Sequence, residues 1–293
     1  MEKLNQLYSI YNCELNDETV KADVEKILAE NFDKYNNTEV YKECFSMIDL
    51  TSLNTTDTES KIGEMMERVN QFGSDYPEMP NVAAVCVYPA MVPVTKVTLE
   101  AENVNIAAVS ACFPSSQTFI EAKVAEVALT ALAGADEIDV VISVGKLMSG
   151  LHSEVMEELE EIKAASRHAH LKVIIESGSL RNAVEIKHAS LLSIAAGADF
   201  IKTSTGKTDP AATLEAAYIM CGAIKEYYEK SGIRIGFKPA GGIVTTEDAV
   251  KYYTIVRTVL GEEWMTNELF RFGASRLANN LLSSIYGEEI KYF

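Results

Sequence analysis

Two lysines set into apolar runs are the first sign of chemistry in this chain. Lys202 stands in Phe200-Ile201-Lys202-Thr203-Ser204-Thr205-Gly206-Lys207, and Lys238 in Ile233-Arg234-Ile235-Gly236-Phe237-Lys238, stopped by Pro239. The β-branched and aromatic residues of the first run favour a pleated strand that puts Phe200, Lys202 and Ser204 on one face. An amine turned into a dry interior is penalised for carrying charge, so its pKa falls. A free lysine titrates near 10.4, so at pH 7 about one in 2,500 is a neutral nucleophile; at a pKa of roughly 7, about half would be. Taken alone, Lys202 could equally be a structural ion or a side chain that snorkels to the strand end. Lys238 changes the balance, because a neighbouring ammonium disfavours charge on Lys202. Asp139, within Glu137-Ile138-Asp139-Val140-Val141-Ile142-Ser143, gives the two amines a carboxylate with which to share a proton. The combination reads as a neutral amine nucleophile tuned by a charged neighbour.

Asp49 and Lys172 interrupt two further apolar runs, so five charged residues sit inside otherwise buried strands. Lysines and aspartates are seldom buried unless paired. A second constellation follows the strands: Gly206-Lys207, then Ala240-Gly241-Gly242-Ile243, then Gly273-Ala274-Ser275-Arg276. Glycines let backbone N–H groups approach an anion, and a helix N-terminus adds a favourable field. With Lys207 and Arg276 beside them, these loops read as a phosphate cradle.

The elements that must position these residues follow from hydrophobic pattern. Eight β-rich runs are expected, at 45–50, 82–88, 105–110, 137–143, 171–176, 200–207, 233–238 and 269–272, with amphipathic helical stretches between them. Strands that are apolar on both faces and alternate with helices predict a closed parallel (β/α)8 TIM barrel. Barrel sites lie at the C-terminal ends of the strands, where the charged residues fall. Ala133-Gly134-Ala135-Asp136 and Ala196-Gly197-Ala198-Asp199 lie 63 residues apart, or two units, each glycine suited to the left-handed end of a helix. Residues 1–43 read as an N-terminal helical extension, with Leu4, Leu7, Tyr8 and Tyr11 at helical spacing. Asn16 is an expected N-cap, and Val20, Val24, Ile27 and Leu28 form a stripe. This extension is expected to cover one end of the barrel domain, residues 44–293.

Composition narrows the partners. The net charge of −17 repels nucleic acid and anionic membranes, so a phosphorylated ligand needs a local basic cluster. No apolar run reaches membrane-spanning length, and Met1 to Gln6 do not resemble an export signal. Five scattered cysteines without CxxC spacing fit reduced thiols in a cytoplasmic setting. His152, His168, His170 and His188 fall in helical or connecting stretches; His168 and His170 form a solvated pair rather than a metal site, and no metal or cofactor is expected.

Phe200 to Lys207 (FIKTSTGK), Gly236 to Gly242 (GFKPAGG), Ala135 to Val141 (ADEIDVV) and Leu171 to Glu176 (LKVIIE) resemble the 2-deoxyribose-5-phosphate aldolase family. Asp49 to Asn54 and Ala84 to Pro89 match as well, so the resemblance runs from about residue 44 to about 285. It implies a metal-free class I aldolase that reversibly cleaves 2-deoxy-D-ribose 5-phosphate to D-glyceraldehyde 3-phosphate and acetaldehyde in deoxynucleoside breakdown. By position, Lys202 would be the Schiff-base lysine, Lys238 the lysine that lowers its pKa, and Asp139 the proton-relay partner. Gly206, Lys207, Gly241, Gly242, Gly273 and Ser275 would hold the phosphate, and Asp49 and Lys172 an orienting network. Relatives include dimers, which leaves a homodimer open. Tyr292 stands near the place of a mobile C-terminal tyrosine that assists proton transfer in some relatives; a frayed tail is the alternative. Cys86 reads as a small buried residue rather than a reactive thiol. Another Schiff-base barrel, or a sugar-phosphate binder without catalysis, are the competing readings. Two departures concern the phosphate loops: Val244 stands where many relatives have arginine, and Arg276 where a second serine is common. A guanidinium lost from one loop is then replaced by one from the next. Arg276→Ala should raise KM for the phosphorylated sugar far more than for the unphosphorylated one, and equal effects would reject the idea.

Overall fold

Each of the eight apolar runs contributes a strand in a computed structural model of the chain, which describes residues 7–11 and 13–293. Residues 1–6 and Asn12, and with them the expected helical role of Leu4, lie outside the described residues. The strands are β1 (Ile48–Thr51), β2 (Ala84–Val87), β3 (Asn105–Ser110), β4 (Glu137–Val141), β5 (His170–Ile174), β6 (Phe200–Lys202), β7 (Gly236–Lys238) and β8 (Phe272–Ala274). All seven ladders are parallel, in the order β7-β6-β5-β4-β3-β2-β1-β8. Bridges Phe237–Phe270 and Ala240–Gly273 join the two ends. The expected (β/α)8 barrel is therefore the observed one. Among the described residues no helix is long and apolar enough to cross a membrane.

Outward-facing residues such as Leu50, Val85, Ile106, Val140, Val173, Ile201 and Phe237 are buried under the surrounding helices. The apolar content of the inner face is small: Ala84, Cys86, Ala107 and Val109 pack together with Leu53. Charged side chains take the remaining inward positions. Barrel interiors are ordinarily filled by branched apolar residues, so this one departs from the rule where its charges lie.

Only β3 keeps the expected limits; for β1, β6 and β8 the difference has a local reason. Phe45 and Ser46 finish α2 (Thr38–Ser46), in which Val40, Cys44 and Phe45 are buried at helical spacing and Asn37 caps the first turn. That helix runs through the expected boundary at residue 43. Strand pairing in β6 stops at Lys202; Thr203 adds one bond to the Lys238 carbonyl before the chain turns at Gly206, with φ +73°. Leu269 and Phe270 donate to the Thr266 carbonyl at 3.1 and 2.8 Å, so they form a turn leading into β8.

The extension lies elsewhere than expected. Asn16 caps α1 (Asp17–Tyr35), accepting from the N–H groups of Glu18 and Thr19. Val20 packs on Ala183 and Ile219, Tyr218 donates to Asp23, and Asp17 accepts from the Ala183 N–H. These partners belong to the outer helices Ala183–Ala195 (α8) and Leu214–Ser231 (α9), so α1 covers the side of the barrel and not an end.

Candidate active site

Period-two alternation turns Asp49, Glu137, Asp139, Lys172, Lys202 and Lys238 into the barrel, where each is at most 3% exposed. Parallel register then sets their heights. Lys202 pairs with Lys238 across β6 and β7, and Asp139 with Lys172 across β4 and β5. Two lysine amines reach one oxygen: Lys202 Nζ donates to Asp139 Oδ2 at 2.7 Å, and Lys238 Nζ to the same atom at 2.8 Å. Asp139 Oδ1 accepts nothing from the described residues. Lys238 also pairs with Asp49.

Below this pair lies a second layer. Lys172 Nζ donates to Asp49 Oδ2 at 2.8 Å and pairs with Glu137. Arg271 clamps both acids, reaching Asp49 Oδ1 at 2.7 Å and Glu137 Oε1 at 2.8 Å. Arg271 and Glu137 were absent from the residues expected at the site. The signal was present: Glu137 precedes Asp139 by two and so shares its face, and Arg271 interrupts the apolar Leu269–Phe272 run. Glu176 was likewise missed; buried, it accepts from both the Thr205 N–H and the Thr205 hydroxyl and so holds the turn after β6.

The ionic chain determines how each group titrates. Burial lowers the Lys202 pKa, Lys238 lowers it further, and Asp139 opposes both without overcoming them. Burial also opposes charge on Lys238, but Asp139 and Asp49 outweigh it and push that amine above the usual lysine range. Burial would raise Asp139, yet Lys202 and Lys238 hold it below the usual carboxylate range. Asp49 is held low in the same way by Lys172, Lys238 and Arg271. Four basic side chains thus meet three carboxylates. The cluster carries one surplus positive charge if every group is ionised, and none if Lys202 is a neutral amine.

Lys202 forms the floor of a cavity of about 270 Å3. Gly206, Lys207, Gly241, Gly242, Val244, Gly273, Ser275 and Arg276 line the same cavity, so the three glycine loops and Lys202 face one space. Glycine is required here: at Gly241, with φ +85°, an added Cβ would stand 2.7 Å from Ala211 Cβ. Lys207 Nζ is tied to the Leu53 carbonyl at 2.6 Å, which bridges the loops after β6 and β1. A larger apolar hollow of about 730 Å3, between Pro89 and Leu129, lies outside the barrel and contains none of these residues.

Other expected residues lie apart. Cys86 is buried in β2, and burial pushes its thiol up to about 11, so it is protonated near neutrality. Tyr292 is docked against Glu59–Asp75 (α3), donating to Asp75 at 2.6 Å and to the Arg68 carbonyl at 3.2 Å. His170 opens β5 instead of standing in a connection, and His152 and His188 meet Tyr8 outside the barrel. Among the described residues no group of three or more His, Cys, Asp or Glu is arranged to hold a metal.

Residues 44–259 match the family described as DeoC/LacD family aldolase. The deoxyribose-phosphate aldolase of Homo sapiens is 38% identical over 251 residues, covering 82% of this chain and 79% of that protein. The corresponding protein of Mus musculus is 37% identical over the same shares. Among solved structures, the deoxyribose phosphate aldolase of Aeropyrum pernix, described as a tetramer, superposes with a TM-score of 0.67 at 24% identity, covering 88% of this chain and 96% of that one.

Proposed function

The chain belongs to the DeoC/LacD family of aldolases, and from that premise we propose that it reversibly cleaves 2-deoxy-D-ribose 5-phosphate to D-glyceraldehyde 3-phosphate and acetaldehyde through a Schiff base on Lys202. The observation that carries this reading is the charge balance of the buried cluster, which is neutral when Lys202 is an uncharged amine. Such an amine adds to the C1 aldehyde of the open-chain sugar, and loss of water leaves a protonated imine. The imine draws electrons from the C2–C3 bond as the 3-hydroxyl gives up its proton. D-Glyceraldehyde 3-phosphate leaves, and a two-carbon enamine stays on Lys202. Protonation at C2 and hydrolysis then release acetaldehyde.

Asp139 suits the proton movements. Oδ2 holds both amines, while Oδ1 has no partner among the described residues and is left as an acceptor. Lys238 stays protonated and keeps its neighbour neutral. Asp49, Lys172, Glu137 and Arg271 orient this pair from below. The glycine loops with Lys207, Ser275 and Arg276 hold the phosphate at the far side of the cavity, which fixes the sugar's reacting end over Lys202. The degradation of deoxynucleosides in the cytoplasm is the setting that supplies this substrate.

The test is trapping. The protein is incubated with acetaldehyde, reduced with borohydride, and its peptides are mapped by mass. One ethyl group on Lys202 is expected. A label on Lys238 instead would reverse the two roles, and no label on any lysine would leave a sugar-phosphate binder without catalysis.

A further inference from the structure

Beside the phosphate loops lies a second hollow with a basic wall, of which the proposed reaction uses Ser275 and Arg276 but neither Lys61 nor Arg68. It measures about 340 Å3, and its lining includes Lys61 and Arg68 of α3, Arg276, Asn54, Ser275 and the C-terminal Phe293. It shares Thr51, Asn54, Ser275 and Arg276 with the cavity above Lys202, so the two spaces adjoin. Lys61 and Arg68 are seven residues apart on α3, which places both on one face. Both are exposed, as is Arg276.

The acidic side chain on this wall, Asp57, is fixed by the loop it folds. Asp57 accepts from the Ser52 hydroxyl at 2.8 Å and the Asn54 N–H at 2.9 Å, which folds the loop after β1. The Phe293 carbonyl oxygen accepts from Asn279 at 2.8 Å. Lys61 spends one donor on the Thr56 carbonyl at 3.1 Å and has two more. Three cationic side chains therefore outnumber the one acidic side chain lining the hollow, on a chain whose net charge is −17. A dianion approaching such a surface is repelled until a local positive field takes over.

We infer that this hollow is a second phosphate-binding site, which captures the phosphoryl group of the incoming sugar before it settles on the glycine loops. Lys61 and Arg68 make the first contact, and Arg276, on the wall common to both spaces, passes the group inward. The inference rests on the aldolase reading for the identity of the sugar, but the anion site itself does not need it.

The experiment compares the parent with the double variant K61A/R68A, whose side chains are exposed and leave the core intact. Calorimetric titration with inorganic phosphate should give two equivalents for the parent and one for the variant. The variant's KM for 2-deoxyribose 5-phosphate, taken as a ratio to its KM for unphosphorylated 2-deoxyribose, should rise about three- to tenfold at low salt. That gap should close near 1 M salt, where the screening length is about 3 Å. A single phosphate equivalent in the parent overturns the second site, and an unchanged KM ratio overturns capture. If no lysine is trapped and neither sugar turns over, the aldolase reading fails, while the phosphate stoichiometry still decides the site.

Discussion

Replacing Asp139 by Asn acts on two things at once, and they separate by pH. The carboxylate is the influence that holds the Lys202 pKa up against burial and against Lys238. Without it, Lys202 titrates lower still, and a larger fraction is nucleophilic near neutrality. The relay oxygen is lost as well, which should cost about 10²–10⁴ in kcat. Lys238→Met works in the opposite sense, since it removes a charge that lowers Lys202. The amine is free only above its folded pKa, so kcat/KM rises with pH through that value. The rising limb should move to lower pH in D139N and to higher pH, toward the ordinary lysine range near 10.4, in K238M. Profiles of kcat/KM against pH for the three proteins check this. A limb that stays in place in K238M would remove the tuning role from that lysine.

At the scale of strands, the barrel interior is a ladder of alternating charge, and each rung depends on the one below. Arg271 enters from the turn before β8 and is 3% exposed, with both partners fully buried. Arg271→Met keeps the volume but leaves Asp49 and Glu137 with one cation fewer, which should cost about 3–5 kcal/mol of stability. Urea unfolding measures it; a loss below about 1 kcal/mol would mean that Lys172 and Lys238 together balance both acids. The inward charges were legible in the sequence because a period of two admits one face only, and Lys202, Lys238, Asp139, Asp49 and Lys172 all break apolar runs. The glycines ending the helices were legible too: Gly134 and Gly197 have φ of +107° and +98°. Strand ends were not, because the ladder stops where hydrogen-bond partners end and not where apolar residues do; β6 is three residues long within an eight-residue run. Glu137 was hidden by its place at the first position of a strand, where a charge ordinarily faces solvent. Arg271 was hidden because it lies ahead of the β8 ladder, in a segment whose direction no alternation fixes.

For the whole molecule, the open question is whether α1 is part of the barrel's stability or a separate cover. The expected division at residue 43 treats it as a cover, and the proposal that residues 44–293 hold the complete aldolase follows from that. Packing gives α1 a modest stake: Val20 and Val24 are its buried side chains, set against outer helices and not against the charged interior. Burying a valine contributes about 1.5–3 kcal/mol. Val24→Asp should therefore release α1 from α9 and Thr246–Leu260 (α10), lowering Tm by several degrees. Limited proteolysis should then cut within residues 13–36 faster than in the parent. Borohydride trapping at Lys202 should persist, because the ionic ladder contains no residue of the extension. Loss of trapping in step with the cleavage would show instead that the barrel needs this helix to hold β6 and β7 in register. The two domains of the expected division would then be one.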